Sequence, residues 1–272
     1  MKHFNINKEL EFINSIQFLK QKYGNEKVMK WYWKPQFYKN GLPIIKNNTL
    51  NDFNKDVNAI HKKLENPEIH TKENIKEYNQ KIDYIIKKLN FKLDKNIDNK
   101  KLQLQRASIY RYYIIDALNN ISLSVSPIIK KEWKINFELF GAFYNTNVNY
   151  CGLFSDIEDS CCDFYTFNLK ENMTILINPP YTEEWIKISC KIINNIMKKD
   201  KNTKIYLVIP VWNCSDRKIL GLKECKDLPE IDKLKNNSYL QSHNIKNLEF
   251  YDGITKRNVY LKDKVHIFIF KN

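Results

Sequence analysis

The sequence predicts an α/β protein in two parts: an all-helical domain over residues 1–120, then a doubly wound, mostly parallel sheet domain over residues 121–272. Three observations carry that reading. Apolar residues recur at helical spacing through the first 120 positions. From Ile135 the pattern changes to short apolar runs separated by helical stretches, which is how a parallel sheet is written. The stretch Asn178-Pro179-Pro180-Tyr181 joins one such run to one such helix, and so marks the carboxyl edge of a strand.

In the first part, Phe12, Ile16 and Leu19 define an opening helix, followed by the cluster Trp31-Tyr32-Trp33. That cluster reads better as packing between helices than as a base-stacking platform. A loop punctuated by Pro and Gly spans Pro35 to Pro43. A second helix runs near Leu50–Leu64, and a third runs from Thr71 to Leu89 with Ile75, Tyr78 and Ile82 on one face. Lys95–Lys101 is a charged connector, and Leu102–Leu118 forms the last helix. In the second part the expected strands are Ile135–Phe140, Cys161–Phe167, Met173–Asn178, Lys204–Pro210, Asn247–Tyr251 and Val265–Phe270. Asp252-Gly253 is a hairpin turn signal, so the last strand should pair antiparallel with its predecessor. A parallel sheet with a C-terminal antiparallel hairpin is the outline of the Rossmann-like S-adenosylmethionine-dependent methyltransferase fold.

Composition sets outer bounds. The chain of 272 residues has 13% aromatic content, enough for a full core. Its six glycines are too dispersed for a G-x-G-x-x-G or P-loop signature. The net charge of +14 favours a polyanionic partner, nucleic acid first. Yet 41 of the 45 basic residues are Lys, as A/T-rich coding alone would produce. Lys gives point-charge phosphate contacts rather than bidentate base reading. The six cysteines show no zinc spacing, and reduced thiols are expected. No apolar run reaches the ~20 residues of a membrane span, so no membrane and no metal partner is expected.

The Pro-Pro bend has a chemical reading. Two prolines remove two amide donors and stiffen the backbone, leaving the Asn178 amide oxygen and the Pro179 carbonyl as acceptors beside Tyr181. Two acceptors that grip an exocyclic amine draw its nitrogen towards tetrahedral geometry and release its lone pair for methyl transfer. Tyr181 would stack on the base, a contact worth about 1–3 kcal/mol. Thr182, Glu183 and Glu184 then cap a helix whose apolar face holds Trp185, Ile188, Ile192, Ile193 and Ile196.

A methyl donor would sit at the ends of preceding strands. Glu138 can accept from an α-ammonium, Gly141 permits close backbone approach, and Asn145 adds an amide. Asp163 and Phe164 form a candidate adenosine clamp, with Asp156, Glu158 or Asp159 for ribose hydroxyls. The competing readings are a structural ion pair for Glu138 and a solvated loop for residues 156–159.

The order of these pieces resembles a known family. Phe137-Glu138-Leu139-Phe140 with Asn145, Tyr150-Cys151 with Phe154 and Asp156, Asp163-Phe164, Asn178-Pro179-Pro180-Tyr181, and Ile209-Pro210-Val211-Trp212 follow one another with similar spacing in the cap-specific mRNA adenosine N6-methyltransferases, the phosphorylated RNA polymerase II tail-interacting factor family. The likeness covers Ser122 to Asp216, about a third of the chain. Gly141-Ala142-Phe143 departs from the family's Ala-Ser-Pro, Tyr181 replaces Phe, and no WW domain is present. The chain looks like the reduced form that large DNA viruses carry.

This resemblance implies donor binding by Glu138, Phe140, Asn145, Asp156, Asp163 and Phe164, with S-adenosyl-L-methionine as cofactor. It implies catalysis by Asn178, Pro179, Pro180 and Tyr181. Trp212, Arg217, Lys256 and Arg257 are candidates for contacting the cap or RNA backbone, although Trp212 reads equally as core. The implied substrate is the cap-adjacent adenosine of mRNA, with other viral capping or transcription proteins as partners. The implied location is the host cytoplasm or virion, with the nucleus as the alternative. Rival readings are a DNA adenine methyltransferase, which usually has a separate target-recognition domain, a protein glutamine methyltransferase, which has a glycine-rich donor loop, and a non-catalytic RNA-binding subunit of the same fold.

Overall fold

The computed structural model describes residues 4–34, 38–45, 51–93, 97–118, 123–154, 156–157, 172–200, 202–211 and 229–272. It is a mixed α/β structure with eight helices among the described residues and a mostly parallel six-stranded sheet. The chain divides into two compact units: Met1–Ser122 with Leu153–Asp159, and Leu123–Gly152 with Ser160–Asn272.

The first unit is built from helices whose ends are set by side-chain caps. Asn5 caps α1 (Ile6–Tyr23), accepting from the Asn7 and Lys8 amides, and Gly24 ends it at φ 85°. After α2 (Asn25–Tyr32), the segment expected as a plain loop contains an antiparallel pair, β1 (Tyr38–Lys39) with β2 (Leu42–Pro43). Its two-residue turn is Asn40-Gly41, both at positive φ, the hairpin dipeptide whose twist matches the flanking strands. Asn51 caps α3 (Asp52–Glu65), and Phe53, Val57, Ile60 and Leu64 form its buried stripe. Thr71 and Asn74 make a reciprocal capping box on α4 (Lys72–Lys88), which buries Tyr78, Ile82 and Ile85. Asp98 caps α5 (Asn99–Ile114).

At the centre of this unit Arg111 is fully buried between two carboxylates. Its Nε donates to Glu9 Oε2 at 2.9 Å, and its Nη1 donates to Asp156 Oδ1 and Oδ2 at 2.9 and 3.0 Å. The guanidinium lies 4.4 Å from the Phe12 ring centre. A Cβ on Gly41 would fall 2.6 Å from Arg111 Nη1, so this turn needs glycine for space as well as for conformation. Trp31 and Tyr32 pack edge to face, and Trp31 meets Phe53, so the aromatic cluster is packing.

In the second unit the six-stranded sheet runs in the order β5 (Asn149–Tyr150), β4 (Phe137–Glu138), β6 (Thr174–Ile177), β7 (Lys204–Pro210), β11 (Val265–Lys271), β8 (Leu240–Lys246). The first four strands are parallel, and β11 is antiparallel to both neighbours. Ile175, Leu176 and Ile177 are buried, as are six successive residues of β7, so both strands are covered on both faces. The edge strand β8 is polar and largely exposed, which hides it from a search for apolar runs. The expected strand Cys161–Phe167 lies outside the described residues.

The expected hairpin is partly corrected. Asp252-Gly253 does turn the chain, but it joins β9 (Glu249–Asp252) to β10 (Arg257–Tyr260) in a separate three-stranded sheet with β3 (Leu123–Val125). The last strand is instead inserted between β7 and β8, where its alternate residues Val265 and Ile267 join Leu176, Val208 and Phe250 in one core cluster. Trp133, which ends α6 (Pro127–Glu132), stacks on Tyr206 at 4.6 Å over that cluster. Helices α7 (Glu183–Lys199) and α8 (Pro229–Lys235) complete the unit.

Reduced thiols do not hold throughout: Cys151 is disulfide-bonded. Cys190 is a free, half-buried thiol that burial pushes up to about 12, leaving it unreactive at neutral pH.

Across β8 and β11, His243 Nε2 and His266 Nδ1 lie 3.0 Å apart. Burial first, then the nearby Lys235, lowers the His243 pKa below its ordinary 6.5. A depressed pKa contributes stability that is present above the unfolded value and lost as pH falls through the folded one. Urea unfolding should therefore show a His243 contribution to stability that falls as pH drops through 6.5, by less than about 1.4 kcal/mol per pH unit. His243→Phe should flatten that slope.

Candidate functional site

The order of strands concentrates two loops at one place. From β4 the chain moves to β5 on one side, then returns to β6 on the other. The carboxyl ends of β4 and β6 therefore flank a topological switch point, where open parallel sheets leave a crevice. The loop after β4 begins at Leu139, and the bend after β6 is Asn178-Pro179-Pro180-Tyr181.

Thr182 Oγ1 accepts from the Trp185 amide at 3.4 Å and starts α7, with Glu183 and Glu184 in its first turn. The buried face of α7 carries Trp185, Ile186, Ser189, Ile193, Ile196 and Met197. Ile188 and Ile192, expected on that face, are half-buried at its rim. The helix thus anchors the bend from below.

Asn178 is 9% exposed, and both ends of its amide are engaged. Its Nδ2 donates to the Leu123 carbonyl on β3 at 3.4 Å. Its Oδ1 accepts from the Tyr181 hydroxyl at 2.8 Å. The first bond fixes which way the amide faces, so the oxygen is aimed towards the Tyr181 side of the bend. Burial raises the Tyr181 pKa far above the usual phenol value, and the hydroxyl stays a donor. The Pro180 carbonyl is used by the Thr182 amide at 2.8 Å. Among the described residues, the Pro179 carbonyl has no hydrogen-bond partner. Among the described residues the bend therefore offers one open backbone acceptor and one amide oxygen whose donor is a phenol hydroxyl.

Glu138, at the end of β4, is fully buried. Its Oε2 accepts from Lys130 Nζ at 2.6 Å, and its Oε1 accepts from the Ser124 hydroxyl. Lys130 is itself 1% exposed and also donates to Thr146 Oγ1 at 3.2 Å. The carboxylate expected to meet a donor's ammonium is thus held by an ammonium of the chain. Lys130 reaches it because α6 is a single short helix starting at the Ser126 cap beside β3.

Other candidates also serve the loop itself. Phe140 meets Trp185 edge to face at 5.6 Å. At Gly141 a Cβ would come within 2.6 Å of the Tyr150 Cβ, so the close approach that requires glycine is to β5. Asn145 is 2% exposed, and its Oδ1 accepts from the Ala142 amide at 2.9 Å, closing the loop. Asp156 lies in the first unit, on Arg111. Lys256 Nζ donates to the Tyr144 carbonyl at 3.1 Å, and a Cβ on Gly253 would meet the same carbonyl at 2.4 Å. The β9–β10 turn is therefore packed on the loop after β4. Arg257 is exposed on β10, in the register row Leu123, Asp252, Arg257. Asp163, Phe164, Trp212 and Arg217 lie outside the described residues.

Three participants carry roles that the motifs alone do not assign: Leu123, Ser124 and Lys130. Successive residues of β3 touch the two halves of the site, Leu123 at Asn178 and Ser124 at Glu138. Sequence offers one usable signal for Lys130, its place eight residues before Glu138 across a Ser-Pro helix start, but it is one lysine among 41. Among the described residues no group of His, Cys, Asp and Glu could hold a metal, and no helix is long and apolar enough to cross a membrane.

Removing one partner of a buried ion pair strands the other charge, at about 3–5 kcal/mol. Lys130→Met should lose that much in urea unfolding, and adding Glu138→Gln to Lys130→Met should recover part of it, a coupling that a double-mutant cycle measures.

No protein-family model matches this chain, and no curated protein matches it either.

Proposed function

We propose that this protein is an S-adenosylmethionine-dependent adenosine N6-methyltransferase acting on RNA, with the cap-adjacent adenosine of mRNA as its target. The observation that carries the reading is the Asn178 amide, oriented by the Leu123 carbonyl at a switch point of a mostly parallel sheet, beside the Pro179 carbonyl, which has no partner among the described residues. An amine entering the bend would donate one N–H to Pro179 and the other to Asn178 Oδ1, taking the place of the Tyr181 hydroxyl. The freed Tyr181 ring would then lie against the base. The parallel sheet closed by antiparallel strands supports the Rossmann-like methyltransferase form of the α/β fold.

When bound, S-adenosylmethionine supplies an electrophilic methyl group on a sulfonium. The amine end of the site fits that chemistry, because it offers an amide oxygen and a backbone carbonyl as acceptors for a nucleophilic nitrogen. The ammonium end fits only in part. Glu138 is already paired with Lys130, so it would orient the loop after β4, and the donor's ammonium would need a further acceptor. The basic charge of the chain, with Arg257 exposed on β10, favours a phosphate backbone alongside.

Incubation with labelled S-adenosylmethionine and capped RNA, uncapped RNA or DNA, followed by nucleoside analysis, tests the reading. N6-methyladenosine from capped RNA is the expected product; label in DNA alone or in no nucleic acid contradicts it. Asn178→Ala should lower turnover by about 10²–10³-fold, as loss of one preorganised polar group does, with donor affinity measured by calorimetry unchanged. Tyr181→Phe keeps the ring and removes the bond to Asn178, so turnover should stay within about tenfold of wild type. Tyr181→Ala should lose the about 1–3 kcal/mol of stacking. Asp163→Ala should weaken donor binding.

A further inference from the structure

One face of the small sheet runs from the candidate site out to solvent. In the register of β3, β9 and β10, Val125, Phe250 and Val259 stand in one row and turn towards the core cluster. Successive side chains of a strand alternate between faces. The row Ser124, Tyr251, Asn258 and the pair Glu249, Tyr260 therefore share the opposite face. Burial falls along it: Ser124 is fully buried against Glu138, Tyr251 is half-buried, and Asn258 and Tyr260 are exposed. Strand β3 is the edge that holds Asn178 through the Leu123 carbonyl. The face thus begins beside the Pro-Pro bend, and each further strand carries it about 4.8 Å outward.

Two tyrosine rings stand on this face as diagonal neighbours, a relation that puts their backbones about 7–8 Å apart. Tyr260 is 68% exposed, and its hydroxyl donates to Glu249 Oε2 at 3.5 Å. Asn258 Nδ2 donates to Glu249 Oε1 at 3.1 Å, so the carboxylate on this face has a donor on each oxygen. Lys256 Nζ lies 5.9 Å from the Tyr251 ring centre and donates to the Tyr144 carbonyl at 3.1 Å, which brings a positive charge to the inner ring. Arg257 is exposed at the start of β10. Aromatic rings on a sheet face with cations at its margin suit single-stranded nucleic acid: bases stack on the rings and phosphates meet the cations. A duplex stacks its bases on each other and has none to offer. The polar Glu249 and Asn258 beside the rings disfavour the apolar core of a protein interface.

We propose that this face of the small sheet is a stacking surface for single-stranded RNA. Tyr251 takes the nucleotide next to the target adenosine, Tyr260 takes a later one, and Lys256 and Arg257 meet the phosphates. The direction of the strand rests on the methyltransferase reading, because β3 puts the inner end of the face at the Asn178 bend. The stacking itself does not rest on it.

The test is fluorescence anisotropy of the full chain with labelled, capped, adenosine-initiated RNAs of about two and about six nucleotides. The longer RNA should bind more tightly. Tyr260→Ala should weaken the longer RNA about tenfold and spare the shorter, whereas Tyr251→Ala should weaken both. Tyr260→Phe keeps the ring and should keep the affinity. Tyr84→Ala removes a tyrosine of similar exposure, 62%, on α4 and should change nothing. Wild-type affinity for the longer RNA in both Tyr251→Ala and Tyr260→Ala overturns the proposal, as does equal weakening by Tyr84→Ala or a longer RNA that the wild type does not bind. Tyr260 is exposed enough that its loss leaves the fold intact, so that variant decides if Tyr251→Ala does not fold. Methyl transfer measured alongside separates the two claims. Ring-dependent RNA binding without methyl transfer contradicts the methyltransferase reading and keeps the surface. Methyl transfer with a KM for the longer RNA that neither ring alters keeps the reading and removes the surface.

Discussion

The hydrogen bond from Asn178 Nδ2 to the Leu123 carbonyl orients everything else at the site. An asparagine amide is nearly symmetric in shape, and only its partners decide which end is the acceptor. Leu123 accepts, so the oxygen must face the other way, into the Pro-Pro bend. The prolines make that direction persistent, because they remove two amides that would otherwise compete for the oxygen. Tyr181 completes the arrangement by filling the acceptor with its hydroxyl. The Asn178 amide is therefore satisfied at both ends, which a buried polar group needs; under the proposed function, a ligand amine would take the place of the Tyr181 hydroxyl.

Strand β3 gives this local arrangement its wider meaning. Its two neighbouring residues hold Asn178 and Glu138, so the bend after β6 and the end of β4 share one short support. That support belongs to the small sheet, whose β9–β10 turn also meets Tyr144 in the loop after β4. Buried charge is handled the same way in both units, by pairing. Glu138 has Lys130 and Ser124, and Arg111 has Glu9 and Asp156. Such pairs add little net stability, but breaking one is expensive, and they hold geometry for that reason.

Much of the α/β frame was legible because periodicity and caps are local. Thr71 and Thr182 announce helices that begin where the caps place them, whereas Asp98 caps α5 inside the stretch expected as a charged connector. Ile175–Ile177 and the β7 run are apolar because both faces are covered. What escaped was non-local or polar. The strand β8 is an edge with little to bury. The destination of β11, between β7 and β8, is decided by core packing, and the Asp252-Gly253 turn signal says nothing about which sheet receives the hairpin. The Asn40-Gly41 turn dipeptide is local, but a stretch of mixed Pro and Gly around it hides the two short strands it joins. At the site, motif residues were easy to nominate, but a sequence does not show which carboxylate already has a partner. Glu138 and Asp156 both do, and their partners lie 8 and 45 residues away.

The side-chain amide of Asn178 can be observed directly. In a 15N-labelled sample, with the signal assigned through Asn178→Ala, the amide should show two separated proton resonances, one held by the Leu123 carbonyl. Adding a capped, adenosine-initiated oligonucleotide should shift that pair, while the guanosine-initiated counterpart should not. A freely averaging amide, or one that ignores both oligonucleotides, would contradict the role assigned to this bend.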